Sequence, residues 1–158
     1  MKEQKRLGNK GFSLVELIVV IAIMAILVAV LAPTLLSKIE DSREGTDLQA
    51  LGEINTAIKE AILSSEKANE EMPDGKYTVT VPSGGGAPTI SGGSIPASNS
   101  KVDAELKRTI PEVKFKSKLA KDTDTTIEVE VKKGTVTTRL MKSNAVVNMS
   151  NGEPFEVK

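Results

Sequence analysis

The sequence predicts an α+β fold: a long N-terminal helix, membrane-spanning in its first half and amphipathic in its second, packed against a small antiparallel β-sheet. Three observations carry this. Residues 12–36 form an apolar run with one ionisable side chain, Glu16. Leu48, Leu51, Ile54, Ile58 and Ile62 then recur at spacings of 3, 3, 4 and 4, the stripe of a helix with one packed face. From residue 76 onward, apolar and polar residues alternate in short runs separated by Gly, Pro and Asn, the period of half-buried strands.

Composition narrows the function. The chain has 158 residues, the length of one domain with an appendage, and 21 basic against 21 acidic residues. Zero net charge disfavours a strongly basic nucleic-acid binder. There is no His, Cys or Trp, which removes His-based acid–base catalysis, Cys nucleophiles, disulfides and His/Cys zinc sites. Aromatics at 3% speak against base-stacking or sugar-stacking surfaces. No carboxylate pair or nucleophile–base set stands out, so the expectation is a non-enzyme with no cofactor and no metal.

The first ten residues, MKEQKRLGNK, carry Lys2, Lys5, Arg6 and Lys10 against Glu3, a local charge of +3. As a helix, residues 12–36 would extend about 37 Å, enough to cross a ~30 Å bilayer core. The basic flank places the N-terminus in the cytoplasm. A cleaved signal peptide fits poorly, because its best site, after Ala32, is followed at once by Pro33. A plain anchor leaves Glu16 unexplained, since an intramembrane carboxylate costs roughly 2.5–3.5 kcal/mol. Seated at the interface, Glu16 would instead be favoured by the helix dipole.

Gly11-Phe12-Ser13-Leu14-Val15-Glu16, between a short basic leader and an apolar helix, closely resembles the prepilin peptidase site of type IV pilins and type II secretion pseudopilins. The resemblance covers roughly residues 8–40. It implies cleavage after Gly11, N-methylation of the new N-terminal Phe12, and Glu16 as the assembly residue. The family commonly has a Pro in the later part of the apolar helix, and Pro33 stands there, where loss of a backbone donor should kink or loosen the helix near residues 29–33. Ala25 departs from the Gly of many relatives, and the lack of Cys departs from the many pilins that close a loop with a disulfide. After cleavage, the Phe12 amine and the Glu16 carboxylate would be i and i+4, able to pair within a chain or between neighbours. An intermolecular pair would fix axial register.

Beyond the apolar run, Lys38, Glu40, Asp41, Arg43, Glu44 and Asp47 form a charged stretch that reads as part of a wet helical face. Gly45 and Gly52 weaken the middle. The helix is expected over about 12–69, before the stop Met72-Pro73-Asp74-Gly75. Strands are expected at 76–82, 113–119, 126–132, 135–141, 145–149 and 154–157, with Lys133-Gly134 and Asn151-Gly152 as turns. Residues 83–100, rich in Gly, Ser and Pro, read as a surface loop, and 101–109 as a short helix. The tetrad Ser83-Gly84-Gly85-Gly86 lacks the phosphate-loop pattern. Asn148-Met149-Ser150 is a glycosylation-type triplet of low specificity. The strand at 113–119 would turn Lys114, Lys116 and Lys118 outward, either as guards of an edge strand or as a basic patch for DNA, anionic surfaces or the acidic flank of the next subunit. Three lysines without aromatic interleaving are a weak nucleic-acid signal.

The resulting organisation is a leader at 1–11, an apolar helix at 12–36, its amphipathic continuation at 37–72, and a sheet region at 73–158. The apolar half lies in the membrane before assembly and is buried against copies of itself afterwards, which makes a helical filament. The resemblance implies a structural subunit of a type IV pilus, anchored in the cytoplasmic membrane and then displayed at the cell surface. It also implies partners: identical subunits, a prepilin peptidase that also methylates, an assembly ATPase and platform, and minor pilins. The alternatives are a secretion or competence pseudopilin and, from another class, a monomeric anchored binding domain. Many major secretion pseudopilins carry a calcium site near the C-terminus. Here the turn Ser150-Asn151-Gly152-Glu153 offers one carboxylate, too few for a hard cation.

Overall fold

The computed structural model describes residues 11–64, 72–82, 85–92, 100–121 and 125–158. The chain divides into two units, with the boundary between Lys38 and Ile39. A single helix, α1 (Leu14–Ser64), contributes to both. Gly45 and Gly52 lie within it without breaking it. The expected end at residue 69 lies outside the described residues.

In the second unit the elements are β1 (Gly75–Thr80), β2 (Thr89–Ser91), α2 (Lys101–Thr109), a single-turn helix α3 (Lys118–Lys121), β3 (Thr125–Lys132), β4 (Thr135–Lys142), β5 (Ala145–Val146) and β6 (Glu156–Val157). They build an antiparallel sheet in the order β2-β1-β3-β4-β5, with β6 also paired to β4. Both central hairpins close with two consecutive positive-φ residues, Lys133-Gly134 and Ser143-Asn144, the twist-matched geometry of two-residue loops.

The core follows from the two periodicities. Tyr77 and Val79 of β1, Ile127, Val129 and Val131 of β3, and Val136 and Leu140 of β4 turn to one face. Leu51, Ile54, Ala57, Ile58 and Ala61 of α1 pack on them, joined by Val102 and Leu106 of α2. One polar contact is built into this interface. The buried Asn55 side-chain amide donates to the Val136 carbonyl at 2.9 Å, the Thr138 hydroxyl at 3.1 Å and the Val157 carbonyl at 3.3 Å. It thereby ties α1 to β4 and β6. On the opposite face Arg139 meets Glu128, Glu130 and Glu156, and Lys76 meets Glu128.

Two expectations need correction. The loop at 83–100 is not wholly irregular, because β2 forms inside it. Ile90 is buried in the core, and its N–H donates to Asp103 on α2 at 3.3 Å. The strand at 113–119 does not form. Burial still alternates, with Val113, Phe115 and Ser117 inside and Lys114, Lys116 and Lys118 outside, but only Val113 makes a β-bridge, to Gly86. The N–H groups of Lys116, Ser117 and Lys118 donate to side chains of α1 instead of to a neighbouring strand. Ser117 then starts α3, its hydroxyl accepting from the Ala120 N–H at 3.2 Å.

Candidate functional site

In the first unit, Gly11, Phe12 and Ser13 precede the helix, which begins at Leu14. The start is set by a capping contact. The Ser13 N–H donates to Glu16 Oε2 at 2.8 Å, and the Ser13 carbonyl accepts from the Leu17 N–H at 3.2 Å. Ser13 and Glu16 stand as the first and fourth residues of a capping box, whose carboxylate reaches back to the cap amide. The helix dipole favours the same charge there. Phe12 and Glu16 are therefore not a helical i, i+4 pair in this structure, since Phe12 lies before the helix and Ser13 holds the carboxylate. Pro33 lies inside α1, and the helix runs on through it. In the next turn the Ser37 hydroxyl donates to the Thr34 carbonyl at 3.0 Å.

What dominates this unit is exposed apolar surface. Seventeen large apolar side chains from Phe12 to Leu36 are exposed by about half or more. At about 1.5 kcal/mol for each one buried, they represent on the order of 25 kcal/mol awaiting a non-aqueous environment. By length and composition α1 is able to cross a membrane.

In the second unit the charged stretch of α1 is not simply wet. Glu44 and Asp47 are almost fully buried. Asp47 Oδ1 and Oδ2 accept from the Lys116 N–H at 2.8 and 3.0 Å, and Oδ2 also accepts from the Ser117 N–H at 2.7 Å. Glu44 accepts from the Ser150 N–H and hydroxyl, both at 2.7 Å. Glu40 accepts from the Lys118 N–H and from the Arg43 guanidinium. The Lys118 N–H and then Arg43 hold the Glu40 carboxyl below the usual carboxylate range, against an opposing effect of burial. This row clamps the 113–121 segment and the C-terminal turn onto α1. The turn at 150–153 thus gains a second carboxylate, Glu44, but its oxygens are taken up by Ser150. Among the described residues no group of three or more potential ligands gathers for a metal.

The row was missed, though its spacing was available. Glu40, Glu44 and Asp47 continue the stripe of Leu51, Ile54 and Ile58 toward the N-terminus at steps of 4, 3, 4, 3 and 4. Their charge hid a buried face. Lys114, Lys116 and Lys118 are all exposed, as expected, together with Lys121.

Residues 6–32 match the family model described as the prokaryotic N-terminal methylation motif. The chain carries the prokaryotic N-terminal methylation motif. Two type IV major fimbrial proteins FimA of Dichelobacter nodosus are 38% and 36% identical to it over 62 residues. Those stretches are 39% of this chain in both cases, and 39% and 40% of the relatives' own lengths. The match therefore spans well under half of each relative. No solved structure matches the chain. Gly11, Phe12 and Glu16 lie within the matched residues.

Proposed function

We propose that the chain is a structural subunit of a type IV pilus. The observation that carries this reading is the apolar half of α1, exposed along its length in the single chain and headed by the methylation motif. Before assembly the segment sits in the membrane with residues 1–11 on the cytoplasmic side. The peptidase hydrolyses the Gly11–Phe12 bond and releases the leader. The new α-amine on Phe12, with a reference pKa of ~7.7–8.0, is methylated and keeps its positive charge.

Glu16 then has two possible partners. Its carboxylate already points back toward the helix start through the Ser13 N–H, which cleavage leaves in place. The cationic end of Phe12 lies one residue further on. In the apolar filament core, a neighbour's Phe12 amine supplies the countercharge that lipid and water no longer provide, and the pair sets the axial register of the helices. The assembly platform, its ATPase and the minor pilins act from outside the chain. Electron microscopy of sheared surface material, with the subunit identified by mass spectrometry, tests the proposal. Filaments that contain this chain are expected, and material that lacks it would overturn the reading.

A further inference from the structure

The C-terminal turn holds an asparagine whose chemistry the filament reading does not use. Asn148 and Pro154 form a β-bridge. Between them the Met149 N–H donates to the Glu153 carbonyl at 2.8 Å, and the Gly152 N–H donates to the Met149 carbonyl at 2.9 Å. Asn151 and Gly152, at the tip, are exposed. Gly152 has a φ of +85°, and nothing lies within 4 Å of the position a Cβ would take. The Asn151 side-chain carbonyl accepts from the Glu153 N–H at 3.0 Å. The preceding residue, Ser150, is the one that buried Glu44 holds through its N–H and hydroxyl.

Of the seven asparagines in the sequence, only Asn151 precedes a glycine. The backbone nitrogen that follows an asparagine is tethered close to that asparagine's side-chain carbonyl carbon, with the advantage of an intramolecular nucleophile. A side chain on the following residue normally obstructs the approach, and Gly152 has none. The Glu153 N–H draws electron density from the Asn151 carbonyl and stands where the oxyanion of an attack would form. The Gly152 N–H must first leave the Met149 carbonyl. At an exposed tip, water takes its place there.

We propose that Asn151 is a site of spontaneous deamidation through a cyclic imide formed with Gly152. Hydroxide takes the Gly152 N–H proton, and the nitrogen bonds to Asn151 Cγ. The Cγ–Nδ2 bond then breaks, and Nδ2 leaves as ammonia with a proton from water. A second step adds water across either imide carbonyl and opens the ring, giving aspartate or isoaspartate. The net change is one water consumed and one ammonia released, with no oxidant and no cofactor. Each conversion places a new negative charge beside Ser150, the residue that the Glu44 carboxylate holds, so the grip of α1 on the turn weakens. The chemistry requires neither cleavage at Gly11 nor assembly.

Peptide mapping by mass spectrometry tests this on the full-length chain in detergent, incubated at mildly alkaline pH. Asn144 and Asn148 are exposed as well, but precede Ala145 and Met149. Asn151 is expected to yield aspartyl and isoaspartyl forms about tenfold faster than either, a difference of about 1.4 kcal/mol in barrier. Gly152→Ala should slow the conversion by a similar factor. Because alanine is strained at positive φ, the unsubstituted chain supplies a second comparison, folded against unfolded in urea. The folded rate should stay within about tenfold of the unfolded one. A folded rate lower than that would mean that the Met149 carbonyl locks the nucleophile, and would overturn the proposal. So would conversion of Asn151 at the rate of Asn144, or an unchanged rate in Gly152→Ala. Asn151→Asp isolates the effect of the charge. Protection of the Ser150 amide against hydrogen exchange is expected to fall about 1.4- to 5-fold in that variant, and unchanged protection would overturn the loosening of the turn.

Discussion

Replacing Asp47 by alanine should remove the strongest clamp between α1 and the 113–121 segment. The carboxylate accepts three hydrogen bonds from two main-chain N–H groups, at 2.7–3.0 Å. Ser117 and Asp47 are both fully buried, so water cannot take the place of the lost acceptor without opening the segment. Two unsatisfied donors cost ~1–3 kcal/mol each, and release of a buried charge offsets part of that, leaving about 2–4 kcal/mol. Against a domain stability of ~5–15 kcal/mol this is a large fraction. With a urea slope of ~1–3 kcal/mol per M, the unfolding midpoint should fall by about 1–2 M. Asp47→Asn keeps one acceptor oxygen and should fall between wild type and alanine. Tyr77, the single tyrosine in a chain without Trp and buried in the core, reports unfolding by fluorescence of the full chain in detergent. Hydrogen exchange at the Lys116 and Ser117 amides reads the clamp itself. A midpoint within about 0.3 M of wild type, with both amides still protected, would refute the reasoning.

Three further outcomes are expected. Glu16→Ala should leave membrane insertion and cleavage intact but sharply reduce sheared filament yield, since a buried Phe12 cation without its partner costs roughly 3–5 kcal/mol; normal yield would make Glu16 only a helix cap. Burial first, and the Asp74 charge second, push the Tyr77 phenol up, and its hydroxyl donates to the Pro73 carbonyl at 2.6 Å. A raised folded value means stability that is complete below the unfolded value of ~10 and is lost as pH climbs through the folded one; tyrosinate absorbance with an unshifted midpoint, and stability flat across that range, would contradict this. In assembled filaments a kink or short unwound stretch is expected just before Pro33, around residues 24–32, because its ring crowds the Ala29 carbonyl; a map with an undeviated axis and regular bonding from Met24 to Ser37 would exclude it.

The parts of the fold legible in sequence were those where one periodicity acts without competition. The apolar run needs no partner to be recognised, and the hairpin of β3 and β4 follows from alternation plus Lys133-Gly134. Residues 113–119 misled because alternation reports which side chains face inward and not where the N–H groups go. Those groups went to Asp47 and Glu40, about 70–80 residues away in sequence. Glu44 and Asp47 were hidden by the rule that charged residues face water, which fails when buried main-chain donors converge on them. Ile90 was lost in a Gly/Ser/Pro-rich setting, where one apolar residue gives no period to detect. At the candidate site, the spacing of Gly11, Phe12 and Glu16 was legible as a motif, and it falls within the residues that match the family model. The capping contact between Ser13 and Glu16 was also implicit in their three-residue separation.

The central claim is that this chain is cut after Gly11 and enters a filament through the helix that then begins the protein. Intact-mass measurement of the subunit in sheared surface filaments tests it most directly. Removal of the first 11 residues takes four of the 21 basic and one of the 21 acidic residues, leaving 147 residues with net charge −3. The expected mass is that of this 147-residue chain beginning at Phe12 and carrying N-methylation. A mass that places the N-terminus at Met1 or at Pro33 would contradict the account.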